Sequence, residues 1–479
     1  MIKKFKIIIL FYLFLFSGNI LAQENATWTL NDCIKFALNE NLQIKQSENN
    51  NKIAENNYKQ SYLILLPNLN TNAGRNLNYG DKFNIYTGNY EQGFSTGDNF
   101  SVSSNLTLFN GFYNLNTIKK NKLTLLAKEQ EAETIKNNLI IDVVFAYLNI
   151  LFNMELYNTV NQQIESTKSE YKKTKILIDA NKITKNTLFD IEAQLTKEEY
   201  FQLDAQNNLN LAYLNLYSLL NIELKDSFKI SLPDSELLSL IKPEYSLEEM
   251  IDYSLKNNPK VTSSEYEQQI AETNIKLSKS NIFPKITIFG HLTTSYSSAY
   301  TAIDYNSAPE FTGTNSTLYI TESGENIYQK NYNYSTYIVN YNNQLNDNLY
   351  NYFGANLSIP IFNGGVVHNN IQNSKIEFEN ANYSLEITKN EITEIITKAY
   401  YEAELAFKKY VFSEKMYKAQ KLSYENAKQK YNAGTISFFD FRLSKAELYN
   451  VNSEMVQAKY DYLFKTLVLD FYMDKKAFF

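Results

Sequence analysis

The sequence predicts a mixed fold of long α-helices and transmembrane β-strands, laid out as two tandem copies of one elongated unit. Three observations carry this. An alternating stretch at residues 355–365 (ANLSIPIFNGG) runs straight into some sixty residues of helical spacing, and the same hand-over occurs at residues 105–111 (NLTLFNG). The two copies align without a gap at a constant offset of 253, and internal duplication constrains architecture more than any local propensity. A seven-residue repeat then marks the helix that closes each copy.

Composition sets the outer bounds. Of 479 residues only 14 are glycine and 7 proline, whereas 38 are tyrosine and 30 phenylalanine, more than a plain coiled coil uses. The single cysteine, Cys33, excludes an intrachain disulfide, and two histidines, His291 and His368, leave little for histidine-based catalysis. Residues 1–22 read as a secretory signal: Lys3, Lys4 and Lys6, an apolar run from Ile7 to Phe16, then Leu21-Ala22. The run is too short to span a bilayer, and no cysteine follows to suggest a lipid anchor. Without those three lysines the net charge of −6 becomes −9, which gives no hint of nucleic-acid binding.

The first copy, residues 23–245, and the second, 246–479, each open with a helix, at 29–66 and 246–283, related by an offset of 217. Thr29 followed by Asp32, and Ser246 followed by Glu249, are capping-box signals. Pro67 and Pro284 end these helices and start the strands. The expected strands are 68–79 and 99–109 in the first copy, 285–296 and 351–362 in the second. Phe100, Val102, Ser104, Leu106 and Leu108 match Phe353, Ala355, Leu357, Ile359 and Ile361 parity for parity, so one face of each strand is apolar. Arg75 shares the parity of Leu69, Ala73, Leu77 and Tyr79; a charge at mid-bilayer costs roughly 2 to 4 kcal/mol, so a register shift or a rim position is expected there. The offset widens by 36 residues within the second hairpin, which places a tyrosine-rich insertion at 297–350.

Gly111 and Gly364 mark the strand-to-helix junctions. Long helices follow at 112–177 and 366–430, each about 100 Å at 1.5 Å per residue. Turns and returning helices at 187–221 and 440–474 complete the copies. In the returning helices Leu188, Leu195, Gln202, Leu209 and Leu216 recur every seven residues, beside a seam of Ile191, Glu198, Ala205, Ala212 and Leu219; Glu198 and Gln202 interrupt the apolar pattern. Residues 139–152 (LIIDVVFAYLNILF) are apolar nearly all round, so they need covering on more than one side, for which 221–245 and 471–479 are available.

Four strands cannot close a barrel, and open strand edges are not tolerated in lipid; three chains would supply twelve strands. At this point the chain resembles the TolC-like outer membrane efflux protein family. The likeness rests on LLPNL at Leu65, IFPKI at Ile282, LFNG at Leu108, IFNG at Ile361, the turn YNAGTISFFDF from Tyr431 and the closing helix, and it spans essentially the whole mature chain. It implies a homotrimeric duct: a shared 12-stranded barrel in outer-membrane lipid, continued by a coiled-coil helical barrel in the periplasm. It further implies a periplasmic adaptor and an inner-membrane transporter as partners, a passive export role for small molecules or proteins, no cofactor and no nucleic acid. By the same resemblance the turns from Asp179 to Thr187 and from Tyr431 to Phe441 close the periplasmic mouth. Asp440 matches a gate acid, Leu443 stands where a second aspartate is expected and Ile436 where a linking arginine can stand, so Ile436, Phe438 and Phe439 are candidates for an apolar constriction.

The competing reading is a cell-surface or periplasmic structural coiled coil, such as an adhesin stalk. For Asp440 the competing reading is a solvated helix-start residue, and for His368 an exposed one. No nucleophile elbow, zinc-protease motif, Walker loop or paired-cysteine motif occurs, so no enzyme is expected.

Overall fold

The computed structural model describes residues 27–83, 90–181, 184–222, 229–231 and 245–473, so the expected signal at 1–22 lies outside it. In the first copy the elements are β1 (Thr27–Trp28), α1 (Leu30–Glu40), α2 (Leu42–Leu63), β2 (Asn70–Phe83), β3 (Tyr90–Asn110), α3 (Tyr113–Asp179), α4 (Asn186–Leu220) and β4 (Lys229–Ile230). The second has α5 (Leu247–Asn257), α6 (Pro259–Ser280) and β5 (Lys285–Ser297), then β6 (Thr301–Ile303), β7 (Glu310–Ile320), β8 (Asn326–Asn333), β9 (Thr336–Ile338) and α7 (Tyr341–Asp347). It closes with β10 (Tyr350–Ser358), α8 (Val366–Asn432) and α9 (Phe438–Tyr472). Two compact units result, one of residues 1–54, 123–269 and 379–479, the other of 55–122 and 270–378.

The helix starts are built as the sequence dictates, but the opening helices are broken. Thr29 and Asp32, like Ser246 and Glu249, form reciprocal capping boxes. The single helices expected over 29–66 and 246–283 each divide at an asparagine. Asn41 and Asn258 take extended backbone, and their Oδ1 atoms accept from the amides of Gln43 and Lys260, both at 2.9 Å, so each asparagine ends one helix and caps the next. Pro259 reinforces the second break, because it suits the first position of a helix and keeps the preceding residue out of the α region.

The larger unit buries two cores that are copies of each other. Met250, Val261, Ile392, Ile396, Ala403 and Leu469 in the second occupy the positions of Cys33, Ile44, Leu139, Val143, Ile150 and Leu216 in the first. The apolar run of α3 is covered as its composition demands. Val143, Val144, Ala146, Tyr147, Ile150 and Leu151 pack with α1, α4, α9 and Ile230, and the Tyr147 hydroxyl donates to the Ser231 carbonyl at 2.6 Å. Of the two stretches expected as cover, 221–245 contributes Ile230 to the first core, and 471–479 contributes Phe471 to the first and Tyr472 and Met473 to the second; 223–228, 232–244 and 474–479 lie outside the described residues.

The smaller unit holds a four-stranded antiparallel sheet in the order β10-β5-β3-β2. Its strands depart from expectation at three places. The first hairpin continues unbroken to Phe83 opposite Tyr90, beyond the expected ends at 79 and 99, because the ladder persists through glycines and asparagines that carry no apolar signal. Strand β10 stops at Ser358, so Ile359 to Phe362 lie outside it; its partner β5 begins at Lys285 after a proline, and Pro360 has no amide to continue a ladder. The register slips at Thr107/Phe109 and not at Arg75, which bulges Leu108 out of the Phe100 parity and returns Phe109 to the face of Leu106.

Candidate functional site: a two-faced sheet and the turns between long helices

Cross-strand partners share a face, so the registers sort the sheet directly. One face carries Ala73, Phe100, Val102, Leu106, Ile286, Ile288, Leu292, Phe353 and Leu357. Phe353 and Leu357 on it are exposed. The other carries Asn70, Asn72, Asn76, Ser101, Ser103, Asn105, Thr287, Thr293 and Asn356. Arg75 does sit on the apolar face, and its charge is answered rather than displaced: Nε and Nη2 donate to the two carboxylate oxygens of Asp98, its cross-strand partner, at 2.6 and 2.7 Å. Tyr341 donates a further bond to Asp98 at 3.1 Å, leaving that carboxylate buried.

Two glycines of this sheet are places where rings lie on bare backbone. The ring of Phe289 covers Gly354 and that of Phe353 covers Gly290, one on each face. At the strand-to-helix junctions Gly111 and Gly364 have φ of 64° and 65°. A Cβ on Gly111 would collide with the Ser280 carbonyl and Phe283, whereas Gly364 faces open space. Pro284 leads directly into β5, while Asn68 and Leu69 separate Pro67 from β2 and the Asn68 amide bonds to the Asn105 carbonyl.

The turn from α8 to α9 is closed by Gly434 at φ 69° and by the Thr435 amide on the Lys430 carbonyl. Ser437 then caps α9, and Asp440 completes a capping box: it accepts from the Ser437 hydroxyl at 2.6 Å while its own amide donates back at 3.1 Å. Phe439 is exposed under Arg442, whose guanidinium lies 5.2 Å from the ring centre; Ile436 and Phe438 are half-buried. Phe441, which sequence reasoning did not single out as part of this turn, is its anchor, stacked on Tyr431 at 4.9 Å and Tyr424 at 5.8 Å. Part of the matching turn after Asp179 lies outside the described residues, but Asn181 has φ 50° at the position equivalent to Gly434.

The helix faces differ in chemistry. The contact of α8 with α9 includes Tyr410 and Phe407 on Tyr462 beside the cluster above, and the Lys465–Glu402 ion pair at 2.6 Å. Contacts of α3 with α9 combine rings, Phe145 on Phe464 and Phe152 on Tyr460, with polar pairs: Glu155 accepts from Tyr460, and the Lys445 ammonium, only 4 % exposed, donates to Thr167 at 3.0 Å and Glu170 at 3.1 Å. Glu198, 1 % exposed, accepts from Gln163 and Gln194 at 2.9 and 2.8 Å; its interruption of the seven-residue seam was the signal for this buried layer. Lys445 gave no such signal, because one lysine per heptad is ordinary on a helix surface.

No cluster of three or more His, Cys, Asp or Glu side chains suited to a metal occurs among the described residues. Burial pushes the Cys33 thiol up to about 12, which leaves it unreactive. His368 is exposed. A cleft of about 510 Å³ at the α5–α6 break is lined by Asn137, Asn257 and Asn258 with Tyr472, and its one lysine, Lys260, is spent on Glu391 at 2.7 Å.

A duplicated chain that joins a sheet with one apolar and one amide-and-hydroxyl face to helices of 67 residues has the makings of an outer-membrane channel protein. The family described as outer membrane efflux protein matches residues 33–221 and 250–472, and the chain belongs to it. The outer membrane protein TolC of Vibrio cholerae serotype O1 (strain ATCC 39315 / El Tor Inaba N16961) is 23 % identical over 428 residues, 85 % of this chain and 81 % of the relative. Among solved structures, CusC superposes with a TM-score of 0.73 at 14 % identity, over 93 % of this chain and 91 % of its own. The Campylobacter jejuni CmeC outer membrane channel gives 0.69 at 16 %, over 94 % and 85 %. The family match makes the chain an outer membrane efflux protein, and the solved structures establish the fold as that of these channels.

Proposed function

We propose that three copies of this chain form one passive export duct, the outer-membrane component of a tripartite efflux or type I secretion system. The observation that carries the reading is the sheet itself. Strands β2 and β10 are its two edges, and a sheet edge in lipid must be paired, so neighbouring copies supply the missing ladders and twelve strands close. The apolar face then meets lipid and the amide face lines the lumen, residues 1–22 are the removed signal, and the insertion at 297–350 lies outside the cell. A periplasmic adaptor and an inner-membrane transporter complete the path. An adhesin stalk would have no use for a sheet with a lipid-compatible face.

Fractionation tests it: the protein should sediment with the outer membrane, require detergent and migrate as a trimer. A soluble or monomeric species overturns the duct. Asp440 is the proposed gate acid, three copies of which would favour cations. Because Asp440 also completes a helix cap, Asp440→Asn should be compared with Ser437→Ala, which weakens the cap and keeps the charge. Loss of cation preference in single-channel recordings only in Asp440→Asn supports the gate; equal behaviour reduces Asp440 to its cap.

A further inference from the structure

Within the amide-bearing face lies a run of rings in mutual contact. Tyr350 and Tyr352 alternate along β10 with centroids 5.6 Å apart. Tyr352 in turn stacks on His291 of β5, its cross-strand partner, at 5.2 Å and 12°. Phe289 meets the same tyrosine edge-on at 6.0 Å and lies over Gly354, where any side chain would displace it. Four rings thus follow the strand direction on one face.

The setting of these rings is uncharged. Over Asn70 to Asn78, Ser95 to Thr107, β5 and β10, that face holds no Asp, Glu or Arg among the described residues, and its basic side chains are Lys285, at the start of β5, and His291. Around the rings stand carboxamides and hydroxyls such as Asn105, Thr293 and Asn356. The one carboxylate–guanidinium pair of these strands, Arg75 with Asp98, lies on the opposite face. A cationic ligand finds no carboxylate on this stretch of the face, and an anionic one finds only Lys285 at its edge and the imidazole of His291. Rings flanked by neutral donors and acceptors suit a ligand with flat C–H faces and many hydroxyls, since an aromatic side chain offers large apolar area at one end and the amides supply paired hydrogen bonds.

We infer that the Tyr350–Tyr352–His291–Phe289 run is a binding track for uncharged oligosaccharide chains. The inference rests on the reading of this face as the lumen of the duct, and it names a cargo class for which the membrane-spanning part has affinity. Sugar rings stack on successive side chains while their hydroxyls exchange partners along the amide and hydroxyl ladder, so a chain can advance without ever being fully released.

The test uses the full-length protein in detergent, with maltohexaose as probe. Saturation-transfer NMR should show transfer from protein to the sugar C–H protons, and Tyr350→Ala/Tyr352→Ala should raise the dissociation constant by about tenfold or more. Sulfated maltohexaose should bind more weakly than the neutral sugar. Absence of transfer to maltohexaose, or binding unchanged in the double variant, overturns the track; equal binding of the sulfated probe overturns its preference for uncharged chains. The lumen assignment is read separately, from a cysteine at Thr293 labelled by a membrane-impermeant maleimide in proteoliposomes and one at Leu292 that is not. The reverse pattern overturns the duct reading, and the track as a transport element with it, whatever the sugar does.

Discussion

Single residues of this chain carry constraints that its duplication makes comparable. Gly111 and Gly364 are equivalent, and both need left-handed backbone, but only Gly111 is pressed against Ser280 and Phe283. Gly364→Ala should therefore cost about 1–2 kcal/mol of backbone strain, and Gly111→Ala about 1–3 kcal/mol more from overpacking. Thermal melts of the two variants in detergent check the ordering, and equal losses would mean that the close approach is relieved cheaply. Phe112, with φ 66° where the second copy has Gly365, already bears such strain. The capping carboxylates add a pH dependence. Hydrogen bonds from the Thr29 hydroxyl and amide hold Asp32 below its ordinary range, and the Ser246 amide and hydroxyl do the same for Glu249. A carboxyl depressed by folding contributes its stability above its unfolded value, near 4, and loses it as pH falls through the lower folded value. Amide exchange in the first turns of α1 and α5 should accelerate below about pH 4, and that acceleration should be absent in Asp32→Asn and Glu249→Gln.

Among elements, the paired helices show why one seam was legible in sequence and the other was not. The recurrence of Leu188, Leu195, Leu209 and Leu216 announces a returning helix, because apolar spacing is a property of one strand of text. The Lys445–Glu170–Thr167 contact joins residues far apart in the chain, and nothing local in the text around either end records it. The same difference explains the strand ends. Alternation located the strands from Phe100 to Leu106, whereas the outer part of the first hairpin, rich in Asn and Gly, is held by cross-strand partnership that no single strand displays. The Asn41 and Asn258 breaks were missed because a capping asparagine inside an otherwise helical pattern looks like any exposed polar residue. The polar seam makes a prediction of its own. Lys445→Met leaves Glu170 without its cation in a mostly buried place and should destabilise the α3–α9 contact by about 3–5 kcal/mol, the usual result of removing one partner of a buried pair. Lys445→Met/Glu170→Gln should recover most of the loss. Denaturant unfolding of these two variants and of Glu170→Gln alone closes the cycle, and additive losses would mean that the two charges are not coupled.

At the scale of the whole molecule, the two faces of the sheet decide whether the chain works as a duct at all. Leu357 pairs with Ile286 on the apolar face, and its neighbour Asn356 pairs with Thr287 on the amide face. The two positions are adjacent in sequence, occupy the same strand and differ only in direction, so a lysine at each isolates the environment from the backbone. If the apolar face meets lipid, Leu357→Lys brings a cost per chain that is roughly 2 to 4 kcal/mol at mid-bilayer depth and falls towards the interface, and three copies pay it together; Leu357 stands one residue from the end of β10. Asn356→Lys places the same charge in water. Ser358 would be a poorer comparison, because it sits opposite Lys285 and a second lysine there adds cross-strand repulsion unrelated to lipid. The expected outcome is that Asn356→Lys reaches the outer membrane as a trimer in normal amount, while Leu357→Lys is depleted from that fraction and appears as monomer or degraded chain. Equal assembly of the two would remove lipid from one face of the sheet, and with it the argument that open edges force three chains to close a barrel.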